Sequence, residues 1–304
     1  MNILITGATG FIGSNIAEYL IDRGHRLIAT YRNTSTFEKI NNYKERIIWI
    51  ESDNDNFVEL IKVYNPDMLI HTAWSGIDTM SRNNWDLQLK NFYYSKKLIE
   101  DSINVGVRKI IVLGSQAEYG IKGFKVNEET LPEPNDAYGA VKLLLLHFFK
   151  TLCEKEKIEW YWVRVFSLFG KNENDSWLIP SVITRLRKEE IILLTKGEQE
   201  YNYLYIEDFL DRFFRIVIEK HDLSGVYNIC NDRTIKLKEL LISISEILGV
   251  SSKLLEFGSL PYREGQNMFI SGSCRKFKEK FKYEIPDNDL LVGLEKTIAL
   301  KYNK

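Results

Sequence analysis

Tyr138-Gly139-Ala140-Val141-Lys142 sets a phenol and an ammonium at i and i+4. On a helix the two side chains share one face, with Cβ atoms about 5–6 Å apart. A free tyrosine ionises at a pH of about 10, too high for proton exchange near neutrality. A lysine cation beside it stabilises the phenolate and lowers that value. Ser115 closes the apolar run Lys109-Ile110-Ile111-Val112-Leu113-Gly114. A hydroxyl at the carboxyl end of a buried strand can orient a substrate carbonyl or alcohol toward the tyrosine. Together Ser115, Tyr138 and Lys142 describe an acid–base centre that moves a proton to or from an oxygen. Tyr-x-x-x-Lys alone occurs by chance in many helices, so its meaning depends on the elements around it.

The first of those elements is the N-terminal stretch. Asn2-Ile3-Leu4-Ile5-Thr6 reads as a buried strand and breaks directly into Gly7-Ala8-Thr9-Gly10-Phe11-Ile12-Gly13. A helix with Phe11, Ile12, Ile16, Ala17, Leu20 and Ile21 inward follows, and Gly24 stands where a C-terminal glycine belongs. Strand, glycine turn and helix are the context of a dinucleotide fingerprint, here spaced G-x-x-G-x-x-G. Glycines allow close approach to a pyrophosphate, and the helix N-terminus offers N–H groups and partial positive charge. Gly7, Thr9, Gly10, Phe11, Ile12 and Gly13 are therefore the expected cofactor contacts. NAD-preferring folds place an acid about 20 residues further on, for the ribose 2′-hydroxyl. Thr30-Tyr31-Arg32-Asn33-Thr34-Ser35 has none. Arg32 can stack on adenine or grip a 2′-phosphate, with Asn33 and Ser35 donating to it. NADP (as NADPH) is the expected cofactor, with NAD as the alternative.

The rest of the chain alternates. Strands are predicted over His25 to Tyr31, Arg46 to Glu51, Asp67 to His71, Lys109 to Leu113 and Glu159 to Val165. Helices are predicted over Phe57 to Tyr64, about Asn84 to Val105, and Tyr138 to about Lys155. Continuous apolar strands between helices imply an α/β fold: a doubly wound parallel sheet covered on both faces. The alternation loosens after Phe169, and Tyr205 to Glu219 with Gly225 to Asn231 read as a helix and strand returning to the sheet. The expected organisation is a dinucleotide-binding domain over 1–170, rejoined by 205–231. A smaller interleaved C-terminal lobe over 171–304 would bind substrate, in a cleft between the two.

Composition narrows the function class. The 304 residues carry a formal net charge of -1, with 44% hydrophobic and 27% charged residues. That balance gives no electrostatic footprint for nucleic acid or an anionic membrane. No apolar run approaches the roughly 20 residues of a membrane span, and the chain enters a strand at once, with no room for a signal peptide. Cys153, Cys230 and Cys274 match no metal or redox spacing, so no metal is expected and a cytoplasmic location with reduced thiols is.

With these motifs in place, the chain resembles the extended short-chain dehydrogenase/reductases, particularly the Rossmann-type branch that modifies nucleotide-linked sugars. Gly7, Gly10 and Gly13 match its fingerprint, and Asp53 and Asn54 its adenine-side position. His71-Thr72-Ala73 matches its His-x-Ala strand ending, and Asn91 the asparagine of its long helix. Gly225-Val226-Tyr227-Asn228-Ile229 matches its returning strand. The resemblance implies that Tyr138 is the acid/base, that Lys142 binds the nicotinamide ribose and tunes Tyr138, and that Ser115 holds the reacting oxygen. It also implies cofactor contacts at Asp53, Asn54, His71, Ala73 and Asn91, beside Arg32 read from the second strand, and substrate contacts at Ser115 and Arg263; Gln116, next to Ser115, is a further expected substrate contact.

Departures from the family pattern narrow this further. Its 4,6-dehydratases carry Thr-Asp-Glu before Val-Tyr-Gly, whereas this chain reads Ser115-Gln116-Ala117-Glu118-Tyr119-Gly120. Gln116 and Ala117 cannot supply the acid and base of an elimination. Arg-x-x-Asn-x-x-Gly appears as Arg164 to Gly170 with Ser167 for Asn, and a phosphate-binding arginine is replaced by Tyr201. Arg263 is the candidate replacement. Tyr201, Tyr203 and Tyr205, at spacing two, read as one face of a strand packed in the core.

The resulting expectation is an NADPH-dependent reductase of the 4-keto group of a nucleotide-linked 6-deoxyhexose, in deoxysugar and lipopolysaccharide or polysaccharide biosynthesis. A nucleotide-sugar 4-epimerase with tightly bound NAD is the alternative, and a non-catalytic dinucleotide-binding regulator a third reading. Four consecutive leucines, Leu143 to Leu146, exceed the stripe a surface helix buries on one core. The family commonly dimerises through a four-helix bundle of this helix and the long one before it. A homodimer is expected there, with Leu145 as the outward candidate.

Overall fold

The computed structural model describes residues 1–284 and 290–302, and the chain divides into two compact units. The first comprises Met1–Gly120, Thr130–Val165 and Phe213–Tyr227. Its strands are β1 (Asn2–Thr6), β2 (Arg26–Tyr31), β3 (Ile47–Glu51), β4 (Met68–His71), β5 (Lys109–Ser115) and β6 (Glu159–Val165). Its main helices are α1 (Phe11–Ile21), α2 (Phe57–Tyr64), α3 (Trp85–Asn104) and α4 (Ala137–Glu156). The sheet runs Gly225–Ile229, β6, β5, β4, β1, β2, β3. The registers between β1 and β2, β1 and β4, β2 and β3, β4 and β5, and β5 and β6 are all parallel. This is the Rossmann-type doubly wound sheet that the sequence predicts. Strand order reverses between β1 and β4, so the switch point lies at their carboxyl ends. β5 is buried along its whole length, as a strand covered on both faces must be.

Helix α4 corrects one expectation. Its buried positions Val141, Lys142, Leu145, Leu146, Phe149 and Cys153 recur at helical spacing. That stripe puts Leu145 in the core with Phe149 and Trp162, wholly inaccessible, so it is not the outward leucine. Leu144, at 46% exposure, is.

The second unit comprises Ile121–Glu129, Phe166–Arg212 and the chain from Asn228 onward. Residues 121–129 join it, which the expected boundaries did not anticipate. The C-terminal expectation also covers 285–289 and 303–304, which lie outside the described residues. Small sheets carry this unit. Leu204–Tyr205 pairs with Leu168–Phe169, and Glu200–Tyr201 pairs with Ile235–Lys236 and Phe269–Ile270. The three tyrosines are therefore not on one strand. Asn202, fully buried, donates to the Asn231 carbonyl at 2.8 Å and separates two short strands in different sheets. Tyr203 and Tyr205 are nonetheless buried, at 9% and 4% exposure.

Candidate active site

The glycine turn forms because nothing larger fits it. Gly7 adopts φ +75, and a Cβ there would stand 2.8 Å from the Ala73 amide nitrogen. A Cβ on Gly13 would meet the Gly7 carbonyl oxygen at 2.1 Å. The three glycines thus pack α1 against β1 and against the end of β4. Gly10 starts α1 without a side-chain cap, and no acidic residue occupies the first turn. The helix therefore keeps a positive N-terminus suited to a pyrophosphate.

A cavity of about 360 Å³ opens at this switch point. Gly7, Thr9, Gly10, Arg32, Ser35, Asp53, Ala73 and Asn91 line it, all expected from sequence; Tyr31, Trp74, Ser75, Lys90 and Tyr94 line it too and were not anticipated. Asn54 lines an adjoining pocket with Asp53. Phe11, Ile12 and Gly13, also expected as cofactor contacts, begin α1 and do not line the cavity. Arg32 is exposed at the rim, where its Nη1 donates to Ser75 Oγ at 3.1 Å. Asn91 holds Ser75 at both backbone groups, accepting from its N at 3.0 Å and donating to its O at 2.9 Å.

His71 is not a lining residue. Its Nδ1 lies 2.7 Å from Thr6 Oγ1 and its Nε2 2.8 Å from Ser95 Oγ, which ties β1 and β4 to α3. Burial lowers its pKa to about 3, keeping the ring neutral. Thr6 Oγ1 in turn accepts from the Ala73 N–H at 3.2 Å, so His71 braces the end of β4 that lines the cavity.

The structure brings Ser115, Tyr138 and Lys142 together. Ser115 ends β5 and opens a short turn, Gln116–Tyr119, as half of a capping box. Its Oγ accepts from Ala117 N at 3.1 Å, and Glu118 Oε1 accepts from Ser115 N at 2.8 Å. Glu118 is wholly buried and also accepts from Trp162 Nε1 at 2.9 Å and Arg164 Nε at 2.8 Å. Sequence reasoning did not assign Glu118 or Arg164, although Ser-x-x-Glu is the capping-box signature.

Lys142 is also buried. Its Nζ donates to the Leu113 carbonyl at 2.7 Å and sits 3.7 Å from the Trp74 ring centroid. Burial lowers its pKa to about 7, with Glu118 opposing that shift. Tyr138 is half-buried, and burial raises its pKa. A Ser115 hydrogen bond and the Arg82 guanidinium pull it back, while Glu118 and Asp136 push it up. Trp74 lines the cavity and meets Tyr138 edge-on, ring centroids 6.1 Å apart, so Tyr138 lies beside the cavity wall.

Arg263 and Tyr201 lie in the second unit. Gln266 Nε2 donates to the Tyr201 hydroxyl at 2.8 Å, and the hydroxyl donates to the Asn267 carbonyl. Burial raises the Tyr201 pKa, and the Arg263 charge opposes that rise. Gln266, which reaches the Tyr201 hydroxyl, also donates its backbone N–H to the Arg263 carbonyl at 3.1 Å.

A glycine-turn cavity at the switch point, beside a serine, a tyrosine and a lysine, matches an NAD(P)-dependent oxidoreductase of the short-chain dehydrogenase/reductase type. The chain belongs to the NAD dependent epimerase/dehydratase family, whose pattern matches residues 3–230. It is 23% identical over 284 residues to a dTDP-6-deoxy-L-talose 4-dehydrogenase (NAD(+)) from Aggregatibacter actinomycetemcomitans, covering 90% of this chain and 100% of that protein. It is 24% identical over 285 residues to an ADP-L-glycero-D-manno-heptose-6-epimerase from Pseudomonas paraeruginosa, covering 87% and 86%. Among solved structures, a UDP-glucose 4-epimerase from Thermotoga maritima superposes with a TM-score of 0.89 at 23% identity, over 100% of this chain and 99% of that one. The superposition shows a shared fold. Among the described residues, no helix is long and apolar enough to cross a membrane.

Proposed function

We propose that this enzyme reduces the 4-keto group of a nucleotide-linked 6-deoxyhexose, using NADPH. Hydride passes from the nicotinamide to the sugar C4, and the Tyr138 phenol gives its proton to the developing alkoxide. Ser115 holds the same oxygen, and Lys142 holds the nicotinamide ribose. The observation that carries the reading is what flanks Ser115. The next two positions hold a half-buried amide, Gln116, and a buried methyl, Ala117. Neither transfers a proton, so the site is equipped for oxygen protonation beside a hydride and not for elimination of water. The A. actinomycetemcomitans relative is named for C4 chemistry on a 6-deoxyhexose, which supports the same carbon and sugar class.

The test is a panel of nucleotide-linked 4-keto-6-deoxyhexoses incubated with NADPH. Stoichiometric cofactor oxidation with at least one of them is expected. The second reading, a 4-epimerase, is favoured by the epimerases among the relatives; it requires NAD retained through purification and no net cofactor turnover.

The NADPH preference rests on Arg32 at the cavity rim and on the absence of an acid after β2. Arg32→Ala should weaken NADPH binding about tenfold or more and NADH binding little, because only NADPH carries the 2′-phosphate. Equal losses in fluorescence titrations would contradict the preference.

We also propose a two-fold homodimer through α3 and α4. Tyr93 and Leu144 are exposed, at 64% and 46%, beside half-buried Phe92 and Phe148, whose ring centroids are 6.0 Å apart. Leu144→Glu should sediment as a monomer. A parent protein that is already monomeric at micromolar concentration would remove the proposal.

A further inference from the structure

Lys142 is not the cation nearest the centre of the Tyr138 ring. Its Nζ is 6.0 Å from the ring centroid, and its short contacts go to the Leu113 carbonyl and the Trp74 ring. Arg82 Cζ is closer, at 4.7 Å. Arg82 comes from the segment between β4 and α3, outside every motif matched above. Three contacts tie this segment to the start of α4. The Arg82 carbonyl accepts from Tyr138 N at 3.0 Å, and Asn83 Oδ1 accepts from Ala137 N at 3.2 Å. Asp136 Oδ2 accepts from both Arg82 Nε and Nη2, each at 2.9 Å. Asp136 is also the N-cap of α4, its Oδ1 accepting from Gly139 N at 2.7 Å. The first turn of the helix is thereby fixed to Arg82, and the guanidinium is held over the phenol.

We infer that Arg82 is a positioning residue of the reaction: held by Asp136 against the Tyr138 ring, it supplies the positive charge that sets how tightly that phenol keeps its proton. The inference rests on Tyr138 as the acid/base of the proposed reduction. Four charged groups face the phenol: Arg82 from the segment before α3, Asp136 and Lys142 on α4, and Glu118 from the turn after β5. Arg82 favours the phenolate more strongly than Asp136 disfavours it. Burial lowers the Lys142 pKa to about 7, so its charge is partly lost near neutrality. A guanidinium does not titrate there, so its effect on Tyr138 persists across that range.

The test needs no substrate, so it stands apart from the sugar assignment. Tyr138→3-fluorotyrosine is titrated by 19F NMR, because fluorine brings phenol ionisation into a range where the fold survives. Arg82→Met should raise the midpoint by about one pH unit, the scale of a single charge at this range partly offset by Asp136. Arg82→Lys should restore most of that shift. A midpoint unmoved or lowered by Arg82→Met would overturn the inference. If Arg82→Met does not fold, Arg82→Gln, which keeps an N–H donor for Asp136 but removes the charge, takes its place: an upward shift supports the inference, and an unchanged or lower midpoint contradicts it.

Discussion

Tyr138→Phe should lower turnover by roughly 10²–10⁴-fold, the usual contribution of a positioned general acid, while cofactor affinity survives. In the proposed reaction the phenol gives its proton to the substrate oxygen. Ser115 keeps its own hydroxyl but has no charge to share, and Lys142 spends its short contacts on Leu113 and Trp74. Removing the hydroxyl therefore leaves the alkoxide to a water. The ring stays, so the contacts with Trp74 and Arg82 that shape the cavity wall are kept. Turnover near that of the parent, with cofactor titration unchanged, would show that the proton comes from elsewhere.

The largest stability effect is expected at Arg164. Arg164 and Glu118 are an ion pair at 2.8 Å with side-chain exposures of 3% and 0%. Removing one member of such a pair strands the other charge in a dry interior and costs about 3–5 kcal/mol. Arg164→Met should therefore lower the denaturant midpoint sharply. Arg164→Met with Glu118→Gln should recover much of the loss, since no uncompensated charge remains and the amide can still accept from Ser115 N and Trp162 Nε1. If the double variant is as unstable as the single one, stranded charge is not the cause. Either result also bears on catalysis, because Glu118 holds the backbone of Ser115.

The sheet and its cofactor pocket were legible because their signals are local. Apolar runs such as Ile3-Leu4-Ile5 and Ile110-Ile111-Val112 need no partner to be read as buried strands. Gly7 and Gly13 sit where a side chain would strike neighbouring backbone, and only spacing is needed to see it. The residues that were not legible are assembled by tertiary structure. Asp136 could be read as an N-cap before α4, but nothing in its surroundings names Arg82 as its partner 54 positions earlier. Trp74 follows His71-Thr72-Ala73 directly, yet its contact with Lys142 exists only once β4 and α4 are packed. Leu145 and Leu144 are chemically identical, and only the phase of α4 on the sheet decides which faces out. Period-two spacing at Tyr201, Tyr203 and Tyr205 concealed a break, because buried Asn202 donates to the Asn231 carbonyl between two short strands of different sheets.

The most direct measurement of the central claim follows the hydride itself. NADPH carrying deuterium on the transferred position is incubated with the enzyme and an accepted nucleotide-linked 4-keto-6-deoxyhexose, and the sugar product is read by NMR. Deuterium at C4, one equivalent for each NADPH oxidised, is the result that a reductase gives. A product whose C4 carries no deuterium, formed while the NADPH remains unoxidised, would contradict it.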